Sequence, residues 1–405
     1  MMKSLKIVVL YFFITSVFAQ SNEGKKILLS DLTVQMECTE AVDALYNFDF
    51  ETAEQQFLWL KQQYPTHPLP YFLMGLSQWW RIMPNDIVTK YDDAFYAYMD
   101  TSITFAEKLY KEDKNNPEAN FFLAGAYGFK ARLQSDRNNY TSAAFTAKKS
   151  LNYLNEDQND ASDLGPEFIF GDALYNYFRE WIPENMPKLK PILLFFKKGD
   201  KELGLAQLKD VSDNAFYTRI EAMTFLMRIY NDYEGKRNEA MQYSEYLKKT
   251  YPNNPYFERY YAKVAFTKGE LGECYNVSTD IMNKIDSNYV GYDEESGRVA
   301  SYFLGYINMR LKKDTVAATE NFKQTINYTY KLAEIDPEVL GRGYYLNAIR
   351  SLAVFAVKKD DKETALHYYK QYLDTADKKD DSHYKEAKEY VKQNEEKDGA
   401  WWKLW

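Results

Sequence analysis

The sequence predicts an all-α solenoid, a curved and elongated stack of about eight helical hairpins, and three observations predict it. Gly and Pro number only 17 and 12 among 405 residues, too few for a turn-rich β protein, while 45% apolar and 27% charged residues describe a chain that packs a core. Pro-bearing loops recur ahead of aromatic-rich segments: Tyr64-Pro65-Thr66-His67-Pro68, Asp113-Lys114-Asn115-Asn116-Pro117 and Tyr251-Pro252-Asn253-Asn254-Pro255. Small residues recur between them, and Ala240 and Cys274 stand 34 positions apart, as do Pro252 and Asp286. A fixed period of that length is the mark of a repeated unit.

Taken from the N-terminus, residues 1–19 read as a secretory signal peptide. Lys3 and Lys6 precede an apolar run over 7–14, and Val17 and Ala19 are the small residues ahead of cleavage before Gln20. The run is shorter than the roughly 20 residues a membrane span needs, and no later segment is a candidate integral span. The nearest cysteine is Cys38, so a lipid-anchored product is not expected. Removing the leader deletes two lysines and no acids, which moves the net charge from −8 (51 basic against 59 acidic residues) to −10 (49 against 59). So acidic a chain is a poor ligand for nucleic acid. Export, to a periplasm or beyond the cell, permits a disulfide, but the wide separation of Cys38 and Cys274 favours two buried thiols.

Residues 20–33 read as a linker and 34–393 as the solenoid. The second helix of each hairpin is expected to carry a small residue, at Ala53, Ala143, Ala240, Cys274, Ala318 and Ala365, with a large one four positions on at Phe57, Phe322 and Tyr369. The small residue lets two helices approach; the large one fills the space between neighbouring hairpins. The N-terminal half departs from the period, with extra residues at 82–93, 129–139 and 181–189, where Pro183, Pro187 and Pro191 are expected to interrupt any long helix. Such insertions gather on one face of a solenoid, often the binding face. The stretch Lys188 to Lys198, cationic at both ends and apolar between, reads as a packed helix ahead of a membrane contact. Residues 394–405 form a tail that ends Trp401-Trp402-Lys403-Leu404-Trp405.

The loop Asp113 to Ala119 followed by Phe121-Phe122-Leu123-Ala124-Gly125-Ala126-Tyr127 resembles the loop and first helix of the tetratricopeptide repeat. Gly171-Asp172-Ala173-Leu174-Tyr175-Asn176, the run 187–196, and Gly199-Asp200-Lys201-Glu202-Leu203-Gly204-Leu205 resemble the tetratricopeptide-39 family and its fungal inclusion-body-clearance relative. Phe48 to Glu54 and Tyr251 to Pro255 fall in that family's order. The resemblance implies a right-handed superhelix without catalytic residues, in a family linked to lipid storage or protein turnover inside the cell. It also implies that first helices line the concave surface. In that register Phe72, Trp79, Phe121, Phe168, Tyr175, Arg259, Lys263, Tyr302, Tyr306 and Arg310 point into the groove.

The chain carries 36 Tyr, 25 Phe and 7 Trp, most of them expected in the core because stacked hairpins need large rings between helices. Only three histidines occur, His67, His367 and His383, in different repeats, so no metal site, cofactor site or His-supported nucleophile is expected. Acidic pairs such as Asp92-Asp93 and Glu294-Glu295 read as solvated faces. The expectation is a non-enzymatic exported scaffold that holds a partner protein or peptide in its groove, in cell-envelope assembly. The alternative is a carrier of a lipid or glycan, and an enzyme comes last because no grouping meets the geometric needs of catalysis.

Overall fold

A computed structural model describes residues 27–154, 165–187, 190, 197–376 and 382–400. The leader, most of the stretch 188–198, Pro191 and the terminal 401–405 lie outside the described residues. What is described is all-α, without a strand: seventeen α-helices, sixteen of them in eight consecutive hairpins. The hairpins are α1 Leu32–Tyr46 with α2 Phe50–Gln63, α3 Pro68–Ile82 with α4 Asp92–Glu112, α5 Pro117–Asp136 with α6 Tyr140–Leu151, and α7 Pro166–Asn185 with α8 Lys201–Asn214. Then follow α9 Arg219–Arg228 with α10 Arg237–Thr250, α11 Pro255–Lys268 with α12 Leu271–Asp286, α13 Glu294–Ile307 with α14 Thr315–Ala333, and α15 Gly343–Lys358 with α16 Lys362–Thr375. Helix α17, Ser382–Ala400, packs on α16 and includes residues 394–400 of the tail. This is an α-solenoid of consecutive helical hairpins.

Local chemistry explains the boundaries. Pro opens α3, α5, α7 and α11, where its missing N–H costs nothing. Asp31, Asp49, Asn116, Asp200, Asn254, Asp314 and Asp361 each cap the helix that follows with a side-chain oxygen. His67 caps α3 through Nδ1, 3.2 Å from the Leu69 N–H. Six hairpin turns contain a left-handed residue, Phe48, Asn138, Gly235, Gly269, Lys313 and Asp360, which ends one helix and reverses the chain. Packed structure begins at Leu28 and Leu29, which are buried ahead of α1.

Packing follows the small-and-large expectation. Ala53, Ala240, Cys274, Ala318 and Ala365 are wholly buried, Ala143 nearly so, and Phe57, Phe322 and Tyr369 are buried one turn later. In α8 the small position is Gly204, where a Cβ would stand 2.6 Å from the Tyr177 backbone N and 2.8 Å from the Ala173 carbonyl O. Both cysteines are buried and unbridged. Burial pushes Cys38 up to about 11 and Cys274 up to about 12, so both stay thiols.

Three expectations need correction. Pro183 does not break α7 but sits inside its last turn, with the helix running on to Asn185. Acidic residues are not all solvated: Glu118, Glu167, Glu221 and Glu258, each near the start of a first helix, are buried. They survive burial by accepting bonds, Glu167 from the N–H groups of Tyr217 (2.7 Å) and Thr218 (3.1 Å), and Glu118 from Leu29 N–H (2.7 Å). Of the acidic pairs, Asp92 holds Arg137 at 2.6 and 2.8 Å, and Glu295 holds Arg298 at 2.7 Å.

The array also closes on itself, where an elongated stack has each repeat touching only its neighbours. Trp80 of α3 and Tyr46 of α1 donate to buried Glu221 of α9 at 2.8 and 3.2 Å, and the Trp80 indole packs edge-on against Phe257 of α11. Around this knot Asn254 Nδ2 donates to the Tyr46 carbonyl at 2.8 Å, Tyr251 to Asp43 at 3.1 Å, and Asn85 to Asp293 at 2.7 Å. Large rings between first helices set the curl, and polar atoms at the loop ends complete the closure.

Candidate functional site

Closure leaves two adjoining cavities on the inside, and every residue lining them lies on a first helix or a loop at its end. The larger, 370 Å³, is bounded by Phe266 of α11, Arg298 and Tyr302 of α13, Arg342 ahead of α15, and Gly343, Tyr344 and Asn347 of α15. The smaller, 210 Å³, lies between Trp79 of α3, the loop 83–86, Arg132 and Asp136 of α5, Arg228 of α9, and Tyr256 and Arg259 of α11. Glu295 and Arg342 complete it, so Arg342 belongs to both. The insertion at 82–93 supplies that loop, and the one at 129–139 is extra length of α5 that carries Arg132 inward.

Five arginines and three carboxylates line the two cavities, an excess of two positive charges inside a chain whose formal net charge is −8. Arg259 donates to the Pro84 carbonyl at 2.6 Å and to Ser296 Oγ at 3.0 Å, and its charge also acts on the Asp293 carboxyl. Arg228 has no side-chain hydrogen bond or ion pair among the described residues and sits among the phenols of Tyr256, Tyr233 and Tyr260, with Asp232 beyond. Arg132 pairs with Asp136 at 3.1 Å, its guanidinium 5.6 Å from the Trp79 ring. Burial pushes Tyr302 and Tyr344 up to about 12, which keeps both phenols neutral and able to donate.

The ten inner residues expected from register fall in three groups. Trp79, Arg259 and Tyr302 line the cavities, although Trp79 and Tyr302 are themselves only 3% and 8% exposed. Phe168, Phe121 and Phe72 form a continuous ring row, 6.1 and 6.0 Å between centroids, that reaches Trp79 through Phe129. Of these Phe72 and Phe168 are buried and Phe121 is half-buried. The rest stand apart: Tyr175 donates to the Lys197 carbonyl at 2.7 Å, Lys263 pairs with Asp232 at 2.8 Å, Tyr306 packs on Phe266, and exposed Arg310 lies over Tyr306.

Sequence reasoning missed Arg132, Arg228, Arg298, Arg342, Phe266 and Tyr344. Arg342 had a local signal, a basic residue between Gly341 and Gly343 at the mouth of a helix; the other five lie at helical positions with nothing local to set them apart. Among the described residues no group of three or more His, Cys, Asp or Glu could hold a metal ion, and no helix is long and apolar enough to cross a membrane.

No known protein family and no curated protein sequence matches the chain. Among solved structures it is similar to yeast Tom70, at 15% identity over 80% of this chain and TM-score 0.38, and it spans 64% of the Tom70 chain. The P58(IPK) TPR domain matches at 10% identity over 89% of this chain and 99% of that one, TM-score 0.24. A circular tandem repeat protein matches at 11% identity over 89% and 94%, TM-score 0.23. The assignment to an α-solenoid rests on the chain's own helix order and hairpin packing.

Proposed function

We propose that this chain is an exported, non-enzymatic scaffold that holds a segment of a partner protein against its inner surface, in cell-envelope assembly. The observation that carries the reading is that both cavities are lined only by first helices and their loops, with arginines and rings side by side. Such a surface suits an extended or helical segment with acidic and apolar side chains. Export is supported by the leader composition of residues 1–19, which calls for a mature N-terminus at Gln20, and Met1 retained in native-host protein contradicts it.

Mass spectrometry of the complex recovered from the native host is the test, followed by Tyr306→Ala and Arg310→Glu. Tyr306 is half-buried against Phe266, which lines the larger cavity, and exposed Arg310 lies over the Tyr306 ring, so the fold should survive. Retention of the segment should fall roughly tenfold or more; unchanged retention sinks the inner-surface reading. A second reading, a carrier of an apolar or glycan ligand, is favoured by the 370 Å³ cavity with its Phe266, Tyr302 and Tyr344 walls. A lipid or sugar in the same spectra, in place of a protein, decides for it.

A further inference from the structure

We propose that the larger cavity is a binding site for a phosphate or sulfate ester carried on a small ring-bearing ligand. Three observations converge on it. Arg298 is 3% exposed, and while Nε and Nη2 hold Glu295 at 3.0 and 2.7 Å, its Nη1 is buried without an acceptor. A buried guanidinium N–H with no acceptor is costly, and a ligand oxygen in the cavity it lines would relieve the cost. Arg342, which also lines the cavity, has among the described residues a single side-chain contact, to Asp336 at 3.4 Å. The sixteen-residue helix α15 opens at the cavity with no side-chain cap and no acidic residue in its first turn, so its positive end and free N–H groups face the space through Gly343 and Tyr344.

The class of ligand follows from the donors and walls. Arg298 is already forked onto a planar carboxylate through Nε and Nη2 and has the two N–H groups of Nη1 left over; Arg342 and the start of α15 offer theirs from a different element. A tetrahedral oxyanion, with three oxygens pointing different ways, uses such divided donors better than a second planar carboxylate. Phe266, Tyr302 and Tyr344 form an aromatic wall, with Tyr302 and Tyr344 rings 4.9 Å apart, and that wall suits a ring on the ester.

Isothermal titration of the full chain with phenyl phosphate tests the site, with inorganic phosphate and benzoate alongside. Phenyl phosphate should bind, inorganic phosphate more weakly for want of the ring, and benzoate roughly tenfold more weakly or worse. Arg342→Gln should weaken phenyl phosphate roughly tenfold at an unchanged melting temperature. The double change Glu295→Leu with Arg298→Met, which removes the buried pair together and strands neither charge, should abolish binding. If the double variant does not fold, Arg342→Gln with Asn347→Leu is the replacement, since both lie where α15 meets the cavity. No heat with phenyl phosphate, equal binding of benzoate, or undiminished binding in the variants overturns the proposal. The probe is a small molecule, so the result stands apart from that for the partner segment.

Discussion

Trp79 and Tyr306 are both aromatic residues of first helices with cations over their rings, and their burial separates them. The Trp79 indole is 3% exposed, wedged among Phe95, Phe129 and Arg132, whereas Tyr306 leans half-buried on Phe266. Trp79→Ala should cost about 3 to 5 kcal/mol in urea unfolding, and Tyr306→Ala about 1 kcal/mol or less. Equal losses would show that the two rings pack alike. Glu221 gives a second prediction at this scale. Burial raises its carboxyl from 4.5 to about 7, opposed by the Trp80 and Tyr46 donors. The folded state thus favours the protonated form, and its contribution is full below about 4.5 and lost as pH rises through about 7. Glu221→Gln keeps an acceptor for both donors and does not titrate. The fall in unfolding free energy across that window should shrink in the variant, by of order 1 kcal/mol per pH unit; an identical pH profile would contradict the assignment. Glu258, also raised to about 7 by burial, keeps part of the slope in both proteins.

At the scale of elements, hairpin contact is decided by how close two backbones come. Gly204 of α8 lies against the α7 main chain, and neither the Tyr177 N nor the Ala173 O can move aside for a Cβ at 2.6 and 2.8 Å. Gly204→Ala should therefore destabilise by about 1 to 3 kcal/mol, although Ala is the better helix former by about 1 kcal/mol. Gly272, in the first turn of α12, has nothing within 4 Å of its Cβ position. Gly272→Ala should leave stability unchanged or raise it by up to about 1 kcal/mol. Thermal melts of the pair check this, and a stabilising Gly204→Ala would mean that α7 and α8 sit farther apart.

At the scale of the molecule, closure makes distant hairpins depend on one another. Trp80 belongs to the second hairpin, yet its indole touches Tyr256 and Phe257 of the sixth and donates to Glu221 of the fifth. Removing it takes the shorter of two bonds from a buried carboxyl, leaving Tyr46 as donor, and breaks a link between elements 141 positions apart in sequence. Hydrogen exchange on Trp80→Phe should show protection lost in α9 to α11 as well as in α3. Helices α16 and α17, packed at the far end, should exchange as in the wild type. Loss confined to α3 would describe an array in which neighbours alone communicate.

The hairpin order was legible in the sequence because its causes are local. A Pro-bearing loop starts a first helix, a small residue marks where a second helix meets it, and Ala53, Ala240, Cys274, Ala318 and Ala365 are all buried. Gly204 falls in the stretch that resembles the tetratricopeptide-39 family, and the structure makes it the small residue of α8. The inner arginines were not legible, since Arg228, Arg298 and Arg342 are separated by whole hairpins and meet only when α9, α11, α13 and α15 line up. Burial of four glutamates was equally hidden, because a carboxylate's partner at Tyr217, Trp80 or Leu29 lies 50 to 141 positions away in sequence for Glu167 and Glu221, and 89 for Glu118. The sequence by itself determined the helices, their period and their capping, which depend on residues a few positions apart. Only the tertiary structure decided the closure and the charged interior, because these depend on which distant side chains the curl of the stack brings within hydrogen-bond reach.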